Sequence, residues 1–248
     1  MNRNEFFDSL PLTRIVLRLT SATMDICTDD IDEIGVVVSG ADGDVKALRV
    51  AVSGNQLLVE QPALSLQKNP IETSWLQVTI CIPLDWKGRI EGRTVSGWIN
   101  ARGLSGSDLT LDTVSGLINA NAVFFGDITL RSVTGDIRVT DLTCTRGSFI
   151  TTSGAISVQQ ASIDQCSLLS ITGGMTLGFR SPFGSITANS VVGDLSIDAP
   201  VSQCAATHRS VAGRISSDNV SIIGEAGPSV LFSSVSGNLD ISRTDPVQ

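Results

Sequence analysis

Hydrophobic and polar residues recur along this chain in a unit of six positions. The unit is a hydroxyl residue, an aliphatic residue, a small residue, glycine, any residue and a second aliphatic residue, as in Thr94-Val95-Ser96-Gly97-Trp98-Ile99. Its eight copies carry Gly97, Gly116, Gly135, Gly154, Gly173, Gly193, Gly213 and Gly237, at intervals of 19, 19, 19, 19, 20, 20 and 24 residues. A register kept over this length indicates an internal repeat.

Apolar and polar residues also alternate on both sides of each glycine. Leu109 and Leu111 stand before one copy with Thr110 between them, and Ile118 and Ala120 follow it. Because successive side chains of a strand point to opposite faces, each unit predicts two short strands with one buried face. The glycine marks the turn between them, where the chain leaves no room for a side chain.

These strands predict an all-β fold in which successive units stack as coils. We expect a parallel β-solenoid, a single-stranded β-helix of about 7–8 coils, with repeats of 19–20 residues over residues 93–242. At about 4.8 Å per coil, the rod is roughly 35 Å long. The 24-residue interval predicts a loop inserted at residues 222–228, near the terminal coil.

The first 90 residues lack the unit. Alternating segments at residues 14–19, 34–38, 47–52, 57–60 and 75–82 predict a small, mainly antiparallel β cap over residues 11–92 that covers the first coil. Residues 62–70 form a predicted polar loop. Residues 1–10 and 243–248 are assigned to terminal tails.

Composition narrows the function. The 248 residues carry a net charge of −8, so the chain lacks the clustered cations of a nucleic-acid-binding protein. A single His excludes most acid/base mechanisms and metal sites that need two imidazoles. No run is long enough to span a bilayer and no signal peptide is recognisable. We expect a cytoplasmic protein, or a cell-surface protein if an export signal or anchor lies outside this sequence.

The five cysteines show no metal-binding or disulfide pattern. They are widely spaced without a Cys-x-x-Cys pair, so we expect buried thiols. Their positions are Cys27, Cys81, Cys144, Cys166 and Cys204.

The hydroxyl residues of the unit form the most regular polar column. They are Thr94, Thr113, Ser132, Thr151, Ser170, Ser190, Ser210 and Ser234. If these hydroxyls face solvent, the column forms an adhesive or ice-binding ladder. The interpretation we favour is structural: the hydroxyls bond to one another and to turn backbone, stabilising the corner of each coil.

Charged residues offer few catalytic arrangements. Asp108 and Asp127 occupy equivalent positions in successive coils, but Arg146 and Gln165 follow them, which ends the acidic column. Asp112 and Arg131 predict a cross-strand charge pair. His208 lies in an inward column between Ala188 and Phe232 of the neighbouring coils, with no carboxylate partner, which favours a structural role.

Aromatic residues offer a candidate contact surface. Trp98 and the pair Phe124-Phe125 fit either sugar stacking or partner binding. Trp75, Trp86 and Trp98 lie near the junction of cap and solenoid, so we predict that they pack between the two.

The repeated Val-Ser-Gly-x-Ile units, preceded by a strand ending Ile80-Cys81-Ile82-Pro83-Leu84, resemble the bacterial putative-adhesin family of β-strand-repeat proteins of unknown function. The resemblance covers residues 12–242. It implies a solenoid with no agreed catalytic residues.

We therefore predict a non-enzymatic, adhesin-like scaffold that presents extended surfaces to a protein or carbohydrate, with no catalytic, cofactor-binding or metal-binding residues. One alternative is a cytoplasmic scaffold that self-associates through its solenoid ends as a dimer or filament. A further alternative is a carbohydrate-active β-helix enzyme.

Overall fold

The computed structural model describes residues 1–62, 75–224 and 227–244. Apart from Pro62, the predicted loop at residues 62–70 lies outside them. The described chain contains one short helix, α1 (Asp42–Ala47), and strands on both sides of it. The strands are β1 (Asn2–Asp8), β2 (Arg14–Arg18), β3 (Thr23–Asp29), β4 (Glu33–Gly40), β5 (Arg49–Ser53), β6 (Gln56–Glu60), β7 (Leu76–Pro83), β8 (Arg89–Ser96), β9 (Ile99–Arg102), β10 (Ser105–Ser115), β11 (Ile118–Thr134), β12 (Ile137–Ser153), β13 (Ile156–Thr172), β14 (Met175–Phe179), β15 (Ser185–Val192), β16 (Leu195–Ala199), β17 (Gln203–Ala212), β18 (Ile215–Asp218), β19 (Ser221–Ile223), β20 (Ser229–Ser236) and β21 (Leu239–Arg243).

The repeat units stack as parallel coils, which confirms the predicted β-solenoid. Equivalent residues pair in register, so that Ile118 pairs with Ile137 and Ile137 with Ile156. Their side chains are 0–1% exposed and form one column of the core. Each such aliphatic side chain removed from water stabilises the fold by about 1.5–3 kcal/mol before entropy is counted. The repeat thus supplies the core layer by layer.

Each complete coil has a third, short side in addition to the two predicted strands. The long strands β11, β12 and β13 bend at Ala122, Asp141 and Gln160, whose φ values are 52°, 54° and 53°. Beyond the bend, Val123 and Leu142 pair with each other and are fully buried. Because this corner carries non-glycine residues in a left-handed conformation, the sequence contains no turn signal there.

The last two coils are not stacked in chain order. β20 pairs with β15 on one side and β17 on the other, and β21 lies between β16 and β18 in the same way. The chain therefore runs from β16 out to the terminal coil, β17/β18, and returns through β19 to fill the layer it skipped. The long interval between repeats is this return, and not simply an inserted loop as predicted.

Two further parallel coils precede the repeat. β2/β3 pairs with β8/β9, and β6/β7 pairs with β2/β3, again out of chain order. Antiparallel pairing joins β1 to β4, β4 to β7 and β5 to β6. Strand β8, which contains residue 93, pairs with β2 on one side and with β10 on the other, so the stack continues through this point without a break. A division into separate units at residue 93 stays a prediction. Residues 2–8, assigned above to a tail, form strand β1 because β4 offers them an open edge.

A degenerate copy of the unit explains how β2/β3 joins the stack. Leu19-Thr20-Ser21-Ala22-Thr23-Met24 occupies the corner position, with Ser21 bridged to Ser96 and Met24 paired with Ile99. A leucine replaces the hydroxyl residue and an alanine replaces the glycine, so this copy does not match the pattern of the other eight.

The two ends of the rod differ. At the N-terminal end, Val45 and Leu48, in and just after α1, belong to the main hydrophobic core and are 0% and 2% exposed. At the C-terminal end, Ile215 of β18 is 40% exposed, although its equivalents in the other coils are buried. The N-terminal end is therefore closed, and the described residues leave the terminal coil open.

Candidate binding surfaces

The hydroxyl column of the repeat is buried along most of its length. Thr94, Thr151 and Ser170 are 4%, 1% and 0% exposed. Thr151 Oγ1 donates a hydrogen bond to the Gly135 carbonyl at 3.3 Å, as predicted. Five other hydroxyls of the column have no hydrogen-bond partner within the described residues: those of Thr113, Ser132, Ser170, Ser190 and Ser234. No hydrogen bond joins one hydroxyl of this column to the next in the described chain. Burial excludes the column as an adhesive ladder.

The aliphatic residue that follows each hydroxyl instead faces solvent. Because side chains alternate, a buried hydroxyl places its neighbour outside. The resulting ridge, which we call the aliphatic stripe, contains Val95, Val114, Val133, Ile171, Val191, Val235 and Val211, of which the first six are 44–53% exposed and Val211 is 87% exposed. Thr152 takes the same position in the coil between Val133 and Ile171. Residue type alone suggests no exposed role for these residues, although the alternation of side chains already implies that they face solvent.

A column of small residues runs beside the stripe. Ser96, Ser115, Thr134, Ser153 and Thr172 are all exposed. Thr134 Oγ1 donates to the Val114 carbonyl at 3.2 Å, which turns this hydroxyl toward the backbone. The two columns together make an uncharged strip along one corner of the rod.

A polar groove of about 680 Å³ lies on another part of the surface and contains Asp108 and Asp127. Arg146 Nη2 lies 2.5 Å from Asp127 Oδ2, and Arg89 Nη2 lies 3.2 Å from Asp108 Oδ2. Asp127 raises the pKa of Arg146 by hydrogen bonding and by its charge. Each carboxylate therefore has its own arginine.

The remaining lining of the groove carries no charge. Hydroxyls form a column that points outward between two inward columns, made of Thr129, Ser148, Ser167 and Thr187. Gln165 and Ser185 continue the column of Asp127 and Arg146, and Ile128, Gly147 and Cys166 complete the lining.

The predicted charge pair of Asp112 and Arg131 is present on the same sheet. Asp112 lies between Arg93, at 3.1 Å, and Arg131, at 3.9 Å. All three side chains lie on the outer face, and the arginines are more than half exposed. Such contacts add little to stability and mainly favour the correct strand register and a soluble surface.

His208 lies on the terminal coil. Its ring stacks on Phe232 with centroids 5.2 Å apart and planes 4° from parallel. Ala188, expected as its other neighbour, pairs with the far side of Phe232 because the last coils are exchanged. His208 Nε2 has no hydrogen-bond partner in the described residues, which fits a structural position at the edge of the stack.

The tryptophans divide into one packed residue and two exposed ones. Trp86 is 7% exposed and donates from Nε1 to the Leu12 carbonyl at 2.6 Å, so it is packed, although this contact joins two residues of the predicted cap. For Trp75 and Trp98 the prediction was wrong: they are 56% and 60% exposed. Trp98 follows the corner glycine, where the side chain projects away from the core. Phe125 is buried, and Phe124 is 41% exposed.

All five cysteines are free thiols. Cys144, Cys166 and Cys204 are buried as predicted, and burial raises the pKa of Cys144 to about 12. Cys27 and Cys81 were wrongly expected in the core. They are half-buried register partners on β3 and β7, with their Sγ atoms 3.8 Å apart.

The Cys27 thiol is expected to react slowly at neutral pH. Burial, and then the neighbouring Cys81, raise its pKa from 9.0 to about 11. Because only the thiolate is nucleophilic, its ionised fraction at pH 8 is about a hundredfold below that of a thiol of pKa 9.0. Iodoacetamide labelling followed by peptide mass spectrometry should show the rate at Cys27 still rising between pH 9 and pH 11. A plateau below pH 9 would contradict this.

No group of three or more His, Cys, Asp or Glu side chains in the described ranges is arranged to hold a metal ion. Among those same residues, no helix has the length and apolarity needed to cross a membrane.

Solved structures share this fold. A protein named "putative adhesin" from Bacteroides fragilis is 14% identical, with a TM-score of 0.61 over 98% of this chain and 97% of its own. Another of that name from Parabacteroides distasonis is 11% identical, with a TM-score of 0.63 over 97% of both chains. A "putative lipid binding protein" from Parabacteroides distasonis is 15% identical, with a TM-score of 0.57 over 99% of this chain and 96% of its own.

At these identities the likeness shows the fold alone. No curated protein matches the sequence. A family model described as Toastrack DUF4097, a domain of unknown function, matches residues 12–243, nearly the whole chain. The repeat, the stacked coils and this match together show that the chain belongs to the Toastrack DUF4097 family.

Proposed function

We propose that this protein is a non-enzymatic, adhesin-like scaffold that binds a partner protein along its aliphatic stripe. The observation that carries the proposal is the stripe itself: one exposed Val or Ile in seven of the eight repeat coils, aligned along one corner. Soluble proteins seldom expose an apolar surface of this length unless it meets a partner. Its recurrence in seven of the eight coils, with Thr152 in the other, makes it a property of the repeat and not of one loop.

The chemistry of the stripe indicates an apolar ribbon on the partner. The stripe carries no charge, and its hydroxyl neighbours are small, so a flat or extended protein segment can approach closely. Layers about 4.8 Å apart distribute the contact over roughly 30 Å, so that many weak contacts add together. The net charge of −8 disfavours nucleic acids and anionic membranes as partners.

Exposed tryptophans extend the stripe at its N-terminal end. Trp75 lines a shallow depression with Ser96 and Gly97, next to the first stripe residue, Val95, and Trp98 follows the glycine directly. Tryptophan is enriched among the residues that contribute most to protein interfaces. We assign Trp75 and Trp98 as anchors of the contact.

The names of the structural relatives support a binding role. Two are called adhesins and one is called lipid binding, and a surface that meets a partner without catalysis suits all three. The groove supports the same assignment, because each of its carboxylates is paired with an arginine.

The test compares a stripe variant with a matched control. Val114, Val133 and Ile171 are replaced by serine in the first. In the second, Leu10, Val52 and Leu84, which are exposed away from the stripe, are replaced by serine. Retention is measured on octyl-agarose, on dextran beads and on phosphatidylcholine vesicles. We expect the stripe variant to lose about tenfold in octyl retention, the control to behave as wild type, and none of the three proteins to bind dextran or vesicles.

Three outcomes would contradict the proposal. Equal octyl retention by the stripe variant and wild type would remove the stripe as a contact surface. Stripe-dependent binding to vesicles would replace the protein partner with a lipid surface. Release of reducing ends from pectin or alginate, lost in Asp127→Asn, would overturn the non-enzymatic assignment.

A further inference from the structure

We propose that two copies of this chain associate tail to tail through the terminal coil, β17/β18, as a dimer with a twofold axis. The proposal concerns the end of the rod, which shares only Val211 with the aliphatic stripe, and it does not rest on the function proposed above. It is carried by an open sheet edge, by the difference between the two ends of the rod and by two unpaired charges.

The terminal coil has an unsatisfied edge on each of its two long sides. β18 pairs only with β21, and residues 206–212 of β17 pair only with β20 in the described chain. β19 covers no more than the start of β17, at residues 203–205. A strand edge with free N–H and C=O groups is a template for pairing with another chain.

The interior of the coil is also uncovered. Ile215 is 40% exposed, whereas its equivalents Ile118, Ile137 and Leu239 are fully buried. Ser217 in the next inward position is exposed too. A second molecule seated on this end would therefore both extend the sheets and bury the last layer of the core.

The other end of the rod is a poorer second half for this contact. Val45 and Leu48 cover the N-terminal core, so that end has strand edges, on β1 and β5, but no uncovered inward layer to match Ile215. Two identical C-terminal ends meet about a twofold axis, which turns one copy of the edge antiparallel to the other and closes the assembly at two chains.

Charges on the edge favour this antiparallel arrangement. Arg214 precedes β18 and Asp218 ends it, with Ser216 halfway between them. Both charged side chains are exposed, and neither forms an ion pair within the described residues. Antiparallel pairing centred on Ser216 places Arg214 of each copy opposite Asp218 of the other. Parallel pairing in the same register would place like charges together.

The test is a charge swap followed by sedimentation equilibrium. We expect wild type to reach the dimer mass as concentration rises. Arg214→Asp and Asp218→Arg should each raise the dimer Kd about tenfold or more, because each places like charges at two positions. The double variant R214D/D218R should restore the dimer. Lys46→Asp, an exposed charge reversal on α1 at the opposite end, is the matched control and should leave the Kd unchanged.

Several results would overturn the dimer. A wild-type mass that stays monomeric at every concentration removes it. Failure of the double variant to restore association removes the Arg214–Asp218 pairing, and weakening by Lys46→Asp indicates head-to-tail stacking instead. Cooperative melting of each variant shows that the chain is folded. The serine variant of the stripe should dimerise normally, so failure of this proposal is distinguishable from failure of the proposed function.

Discussion

Replacing Gly116 with valine is expected to prevent folding. A Cβ atom at this position would overlap the carbonyl oxygen of Gly97 in the coil beneath, and the φ of 144° is one that residues with side chains rarely adopt. The obstacle is the backbone of Gly97, so no rotamer change relieves it. The cost should exceed the roughly 4–5 kcal/mol that marks the most severe single substitutions. Circular dichroism and solubility of the purified variant measure the result.

The matched control for Gly116 lies in another copy of the unit. Gly174 follows the corner glycine Gly173, and a Cβ atom there meets nothing within 4 Å. Gly174→Val should therefore fold and melt close to wild type. If Gly116→Val also folds with a wild-type melting temperature, close stacking of the corner backbones is wrong.

The corner glycines show what the sequence can predict. Their spacing identifies the repeat, and the repeat implies stacking, because only a coil returns Leu109, Ile128 and their equivalents to the same inward column. Glycine recurs at each corner because the backbone of the neighbouring coil leaves no space there for a Cβ atom. The fold class and most core residues therefore follow from the spacing and alternation of residue types.

The order of the last coils could not be derived, because both copies carry the same pattern. A physical signal is nevertheless present. The coil that lies inside contributes Phe232 and Ile241 to the core, whereas the terminal coil has His208 and Ser217 at the equivalent positions. The more polar coil is better placed at the half-exposed end of the rod, because burying His208 and Ser217 inside the stack would carry a higher desolvation cost.

The aliphatic stripe escaped prediction for a related reason. Residue type alone suggests that hydroxyls carry chemistry and that aliphatic residues form the core, yet the corner turns Thr113 inward and Val114 outward. Proximity along the chain likewise suggested a packed Trp98. Distances along the chain do not show which side of a turn a residue occupies, and this is settled only by the path of the backbone.

Truncating Phe149 to alanine is expected to cost about 3–5 kcal/mol of unfolding free energy. Phe149 is fully buried and, like Phe232, is the largest type of side chain in its inward column. Its ring fills space that the neighbouring column leaves empty at Gly147, where a Cβ atom would lie 3.0 Å from Phe149 Cε2. Removing the ring therefore leaves a cavity beside a residue that has no side chain to fill it. Urea unfolding followed by circular dichroism measures the loss, and Phe124→Ala, at an exposed phenylalanine, should change it by no more than about 0.5 kcal/mol.

A double variant separates this packing from a general loss of hydrophobicity. The coil beneath has Ile128 and Leu130 where this coil has Gly147 and Phe149. Gly147→Ile alone should overpack the core and Phe149→Leu alone should leave a void, but the two together restore the pair found in the neighbouring coil. We expect the double variant to be more stable than the sum of the single changes by about 1–3 kcal/mol. Additive losses would mean that Phe149 does not fill the space beside Gly147, and that the side chains at these two positions pack independently of each other.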